Sequence, residues 1–258
     1  MKKVMKLEKL AWIVFDVFLL FAAWMFLVTC TSAKNTFPTP FTVFDLLIDS
    51  FVEPIGTHTM WGHILWSLYR VAVGFTLAAI SGIIVGIAMG TSKAAEAVIK
   101  PLFEFLRPIP PIAWIPLAIL WFGIGETSKY FIIWLGAFIN VTLNAWEGAR
   151  RTDQTLIGAA QMLGAGKLQV FMKIILPSAM PQIFAGLQTA MSSCWMAVLV
   201  AEMVRSTEGV GWIIIRGTDT GNTAQIIVGM ITIGVIGFLL ASIMGWIERK
   251  VCSWNTTM

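Results

Sequence analysis

This chain has little charge and almost no histidine. Only 12% of its 258 residues are Asp, Glu, Lys or Arg, and 57% are hydrophobic. A water-soluble domain carries about a quarter charged residues, so that class is excluded. A mean hydropathy of +0.81 places the chain in a membrane. The net charge of +4 would suggest a nucleic-acid partner in a soluble protein, but here the cations flank apolar runs, and no nucleic acid is expected. Cys30, Cys194 and Cys252 lie far apart with no ligand-type spacing, which excludes a disulfide framework. His58 and His63, five apart, are the only histidines, and no metal site is expected from them.

The catalytic motifs are missing too. The nearest string to a phosphate-binding loop, around Leu163 to Leu168, has Gln161 in place of its first glycine and Leu168 in place of the magnesium-binding hydroxyl. This chain is therefore not expected to hydrolyse ATP. There is no His-Glu-x-x-His string and no Gly-x-Ser-x-Gly elbow. No enzyme is expected.

What is present is a series of apolar runs of membrane-spanning length. They predict an all-α integral membrane protein of one domain, 1–258, with six spans over about 10–29, 64–89, 101–122, 128–145, 178–204 and 223–247. The first run is too long for a signal peptide, and 30–33 is a poor cleavage site, so it reads as a retained span. The stretch 31–59 reads as an outer loop with a short helix over 42–51, and 91–100 as a polar inner loop. Gly82, Gly86 and Gly90 recur every four residues, as do Gly237, Ala241 and Gly245, and such stripes let helices approach closely in lipid. Pro108, Pro110, Pro111 and Pro116 make a continuous third helix costly. That backbone has to be broken and buried against protein or a cavity. Arg70, near the outer end of the second run, reads as a side chain snorkelling to the interface.

The cations set the orientation. Lys2, Lys3, Lys6, Lys9, Lys93, Lys100, Arg107, Arg150, Arg151, Lys167, Lys173, Arg249 and Lys250 fall on one side. Only Lys34, Lys129, Arg205 and Arg216 fall on the other. The positive-inside rule then puts both termini, and the loop 146–177, in the cytoplasm.

That loop reads DQTLIGAAQMLGAGKLQVFMKIILP over 153–177. Leu156, Ile157, Ala160 and Leu163 share one helical face, Gly164 and Gly166 can end the helix with positive φ, and Pro177 reads as an early residue of the next one. A short helix with an apolar face outside the membrane reads either as a docking element that needs a partner or as an interfacial helix lying on lipid head groups. Ala159, Ala160, Gly164, Ile174, Leu176 and Pro177 match the cytoplasmic loop of permease subunits of ATP-binding-cassette importers, with Gly158 in place of the motif's glutamate. LRPIPPIAWIPLAILWFGIGETSK over 106–129 resembles the nitrate, sulfonate, taurine and bicarbonate branch of that family.

The resemblance implies a type I importer permease fold in a bacterial inner membrane, with a coupling helix seated on a separate ATPase that holds the ATP and magnesium. Gly158, Ala159, Ala160, Leu163, Gly164, Ala165 and Leu168 would form that contact. A second copy of the permease, preferred over a close relative, and a periplasmic or lipid-anchored solute-binding protein would complete the assembly. Gln188, Ser192, Ser193 and Cys194 put polar groups in mid-membrane. Ser192, Ser193, Cys194, Trp195 and Glu202 are taken as the translocation path, for a small anion or organic acid. The rival reading is an ion-coupled carrier, which needs inverted repeats and mid-membrane carboxylates. No such repeat is evident, and Asp16 and Glu202 lie near span ends.

Overall fold

The structure, a computed structural model, describes residues 2–30, 37–204 and 206–252, with side chains before Phe18 described only at Trp12, Phe15 and Asp16. Lys34, Arg205 and residues 31–33 of the rejected cleavage site lie outside the described residues. Among the described residues the chain is helical, without a strand. It begins with α1 (Lys2–Cys30), α2 (Pro40–Asp49), α3 (Met60–Thr91) and α4 (Lys93–Leu106). A 3₁₀ turn (Pro111–Trp114) leads into α5 (Ile115–Phe122) and α6 (Glu126–Arg150). Then come α7 (Gln154–Met162), α8 (Lys167–Val170), α9 (Leu176–Met203), α10 (Val210–Asp219) and α11 (Thr223–Val251).

Local chemistry explains most boundaries. Thr39 caps α2 by accepting the Thr42 N–H at 3.2 Å, with Pro40 at the first helical position. The expected inner loop over 91–100 is instead the start of α4. Ser92 breaks the chain for one residue and caps the new helix by accepting the Ala95 N–H at 3.3 Å. The residues after it are good helix formers despite their polarity. Pro177 does not interrupt the helix either, because a π turn over Phe171–Ile175 precedes it. A proline lacks its own N–H and crowds the carbonyl four residues back. The wider turn accommodates both effects, and Lys167–Met203 runs on as one 37-residue helix.

Among the described residues three helices are long and apolar enough to cross a bilayer: Met60–Thr91, Lys167–Met203 and Thr223–Val251. Lys93–Leu106 and Pro111–Phe122 make a fourth if that pair, bent by 91°, counts as one broken span. The bend falls in the proline run, as helix chemistry requires. α6 is less apolar but sits centrally, against α3, α5 and α9. Its polar residues therefore meet protein before lipid.

The α3–α6 contact depends on the absence of side chains. A Cβ on Gly86 would lie 2.5 Å from the Thr142 carbonyl oxygen and 2.6 Å from Ala145 Cβ, and one on Gly82 would lie 2.8 Å from Val141 Cβ. Gly90 faces Ala149 in the same way. The four-residue glycine stripe is a close-packed seam, as small residues in lipid predict.

The helices around Arg70 are joined at one end by charge. Arg70 of α3 is wholly buried, against the snorkelling expectation. Its Nε and Nη2 donate to both oxygens of Glu126 at 2.7 and 2.8 Å, and its Nη1 donates to Glu202 at 2.9 Å and to the Glu208 carbonyl at 3.0 Å. Arg70 also lies 3.4 Å from the Glu208 carboxylate. The carboxylates come from α6, α9 and the loop before α10, so buried ion pairing outweighs the route to water. Glu202 further accepts from Ser67 at 2.8 and 2.9 Å and from the Gly211 N–H at 3.0 Å, while Ser67 accepts the Val210 N–H at 2.9 Å. Lys129 joins through Glu126 at 2.8 Å and Ser206 at 3.0 Å. Glu126 precedes the 128–145 span. Burial alone would raise its carboxyl, but hydrogen bonds from Arg70 and Lys129 outweigh that and hold it down at about 2.

Two predictions test this architecture. Gly86→Val, which drives a branched side chain into the α6 backbone, lowers stability by about 1–3 kcal/mol. Gly234→Ala, with nothing within 4 Å of its Cβ, does not. Arg70→Met leaves Glu202 buried without its counter-ion and costs about 3–5 kcal/mol, part of which returns on adding Glu202→Leu. Thermal unfolding of the purified protein in detergent measures both. An unchanged melting curve for Arg70→Met would show that the ion cluster does not hold that end.

Candidate functional site

Two features stand apart from the packed bundle, a groove along its side and an exposed turn at the end away from the Arg70 cluster. The groove, about 580 Å³, runs between the broken segment and the facing sides of α6 and α9. Pro110 and Pro111 form one wall, Gly136 and Asn140 of α6 another, and Thr189, Ser192, Ser193 and Met196 of α9 the third. Arg107 lines it from the elbow after α4. Among the described residues no Asp or Glu lines the groove.

The polar groups there differ in what they can offer a ligand. Asn140 Nδ2 donates to Ser193 Oγ at 2.7 Å, which leaves the serine proton uncommitted. Thr189 spends its proton on the Ala185 carbonyl at 3.0 Å. Ser192 is exposed. Arg70, Arg150 and Arg151 have carboxylates within reach, whereas Arg107 has none among the described residues. The groove thus combines one uncompensated cation with hydroxyl donors on an apolar floor.

Of the residues assigned to a path from the sequence, Ser192 and Ser193 line this groove. Cys194 is buried with its thiol toward the Ile133 carbonyl at 3.8 Å, and Trp195 is buried with Nε1 donating to the Ile233 carbonyl at 3.1 Å. Glu202 sits in the ion cluster around Arg70. Four consecutive residues cannot share a helix face, since each turns the side chain by about 100°. The groove residues Thr189, Ser192, Ser193, Met196, Ala197 and Val200 follow the three-and-four spacing instead. That spacing was present in the sequence, and it would have separated Ser192 and Ser193 from Cys194 and Trp195. Asn140 and Arg107 were missed as lining residues because their contribution arises from another helix and from the proline bend.

The exposed turn is built by local rules. Asp153 caps α7 by accepting the Thr155 N–H at 2.8 Å. The helix ends in a Schellman motif, with the Ala165 N–H bonded to the Ala160 carbonyl at 3.0 Å and the Gly164 N–H to the Gln161 carbonyl at 3.0 Å. Gly164 takes φ +83°, which explains glycine there. Gly166, at φ −71°, ends nothing and begins α8, its N–H donating to Gln169 at 2.9 Å. None of the nine residues of α7 is buried. Leu163 is 89% exposed, Met162 85% and Leu168 74%, so this end presents bare apolar surface. Ala159 and Gly164 are exposed, Gly158, Ala160 and Ala165 half-buried, and nothing lies within 4 Å of a Cβ placed on Gly158.

Residues 74–252 match the family described as binding-protein-dependent transport system inner membrane component. The taurine transport system permease protein TauC of Escherichia coli (strain K12) is 37% identical over 197 residues, 76% of this chain and 72% of that protein. The nitrate import permease protein NrtB of Leptolyngbya laminosa is 33% identical over 239 residues, 91% of this chain and 85% of that protein. A chain of the MetNI methionine ABC transporter in an inward-facing conformation shares the fold, with a TM-score of 0.65 at 19% identity over 74% of this chain and 97% of that one. A multi-pass helical bundle with an uncompensated cation in a side groove and a bare apolar turn at one end is thus found in a sequence of this ancestry, and the chain belongs to the inner-membrane permease components of binding-protein-dependent ABC transport systems.

Proposed function

We propose that this chain is the membrane half-channel of an ATP-driven importer for a small anion of the sulfonate, nitrate, bicarbonate or organic-acid class. The observation that carries the reading is the exposed turn after α7. Leu163 and Leu168 present apolar side chains where the family's coupling helix meets its ATPase. Burying such surface against a protein cleft is favourable by about 25 cal/mol per Å². Leaving it in water has no structural reason within this chain. The groove supports the anion class, because its charged lining is a single cation.

In this reading two copies of the chain face each other and two cytoplasmic ATPase subunits, which bind ATP and magnesium, seat the α7 turns. An outer solute-binding protein delivers the anion to the mouth near α10. Closure of the ATPases moves the turns and exchanges outward-open for inward-open states. This chain binds no cofactor of its own, and both termini lie in the cytoplasm.

The test uses the permease co-purified with its partner ATP-binding-cassette ATPase. Leu163→Glu or Leu168→Glu places a charge in the apolar contact, at a cost of several kcal/mol. Co-purification and binding-protein-stimulated ATP hydrolysis are expected to fall at least about tenfold, a change that needs only 1.4 kcal/mol. Leu163→Met is expected to retain both. A Leu163→Glu complex that assembles and is stimulated normally would overturn the coupling role.

A further inference from the structure

We infer that Arg107, Ser193 and Ser192 form an oxyanion-binding subsite inside the permease, with Asn140 as the residue that positions Ser193. The inference rests on the groove being the solute path. It goes further in assigning recognition chemistry to this chain as well as to an outer binding protein.

Three observations converge on it. Arg107 is exposed and lines the groove with no carboxylate partner among the described residues, and no Asp or Glu among them lines the groove beside it. A guanidinium beside an apolar wall without a counter-ion raises the local anion concentration. Its planar fork also matches two oxygens of a sulfonate, carboxylate, nitrate or bicarbonate.

The second observation is the Asn140–Ser193 hydrogen bond at 2.7 Å. The amide donates, so one serine lone pair is used and the serine proton remains for a ligand. A hydroxyl held this way keeps a proton that it can donate to an anion. The third is the rest of the lining. Pro110, Pro111 and Met196 supply hydrocarbon that can carry the organic part of a solute but cannot solvate a cation. Thr189, whose proton is committed to Ala185, lies outside the set on the same reasoning.

The sign of the subsite can be read without knowing the solute. Met196 is 68% exposed and lines the groove without belonging to the polar set. Met196→Cys is placed in a background with Cys30→Ser and Cys252→Ser, the buried Cys194 being left in place. The thiol is then treated with two methanethiosulfonates, one carrying a sulfonate and one a quaternary ammonium. Each rate is normalised to that reagent's reaction with a small free thiol. The sulfonate reagent is expected to react about tenfold faster than the ammonium reagent, as a unit charge nearby in a partly screened groove predicts.

Arg107→Gln should bring the two rates together, whereas Arg107→Lys should keep the preference. Millimolar methanesulfonate or nitrate should slow labelling, and Ser193→Ala or Asn140→Ala should weaken that protection about tenfold while leaving the charge preference in place. Equal rates with Arg107 present, or a preference that survives Arg107→Gln, would overturn the subsite. ATP hydrolysis by the complex of each variant is measured in parallel. Lost labelling preference with intact coupling concerns the subsite alone, and lost coupling in Leu163→Glu concerns the importer reading alone.

Discussion

The guanidinium of Arg70 is sealed from water, and its charge has to be balanced by carboxylates brought from α6, α9 and the loop ahead of α10. That requirement fixes this end of the bundle more tightly than apolar packing can in lipid, where the hydrophobic effect does not distinguish neighbour from solvent. Glu202 cannot withdraw without leaving Arg70 short of charge. Gly211 and Val210, whose N–H groups point into the same cluster, cannot let α10 drift. The glycine seam between α3 and α6 continues the same constraint toward the opposite end by bringing two backbones within direct contact.

The end that carries α7 is organised on different terms. α7 is held by its own cap and its own Schellman closure, and none of its residues is buried. Its shape is therefore set locally, before any partner is present, and the family motif has a physical reading. Ala160 and Gly164 occupy the carbonyl and the left-handed position that the closure needs. At Gly158, where the family pattern has glutamate, nothing lies within 4 Å of an added Cβ, so a side chain there would enter open space.

The sequence disclosed most where chemistry is local. The caps of α2 and α7, the glycine stripe, the broken proline segment and the Gly164 turn all follow from residue type and spacing. It disclosed least where a partner segment decides the outcome. Arg70 near a span end reads as a snorkelling side chain until three glutamates, 56, 132 and 138 residues away, are folded onto it. The polar stretch after Thr91 reads as a loop because polarity was weighed above helix propensity and the Ser92 cap. Ser192 to Trp195 reads as one polar patch until helical rotation turns Cys194 and Trp195 away from the groove. Asn140 meets Ser193 because α6 packs on α9, and Arg107 joins the lining of the same groove from the 91° bend at the prolines.

The helix from Lys167 to Met203 is roughly 55 Å long at 1.5 Å per residue, enough to cross the membrane and project beyond it. Its regularity is interrupted near one end, at the π turn over Phe171–Ile175. Glu202 anchors the other. The groove wall of Ser192, Ser193 and Met196 lies on that rod between the π turn and the pinned tip, so the wall is tied to both ends through one continuous helix.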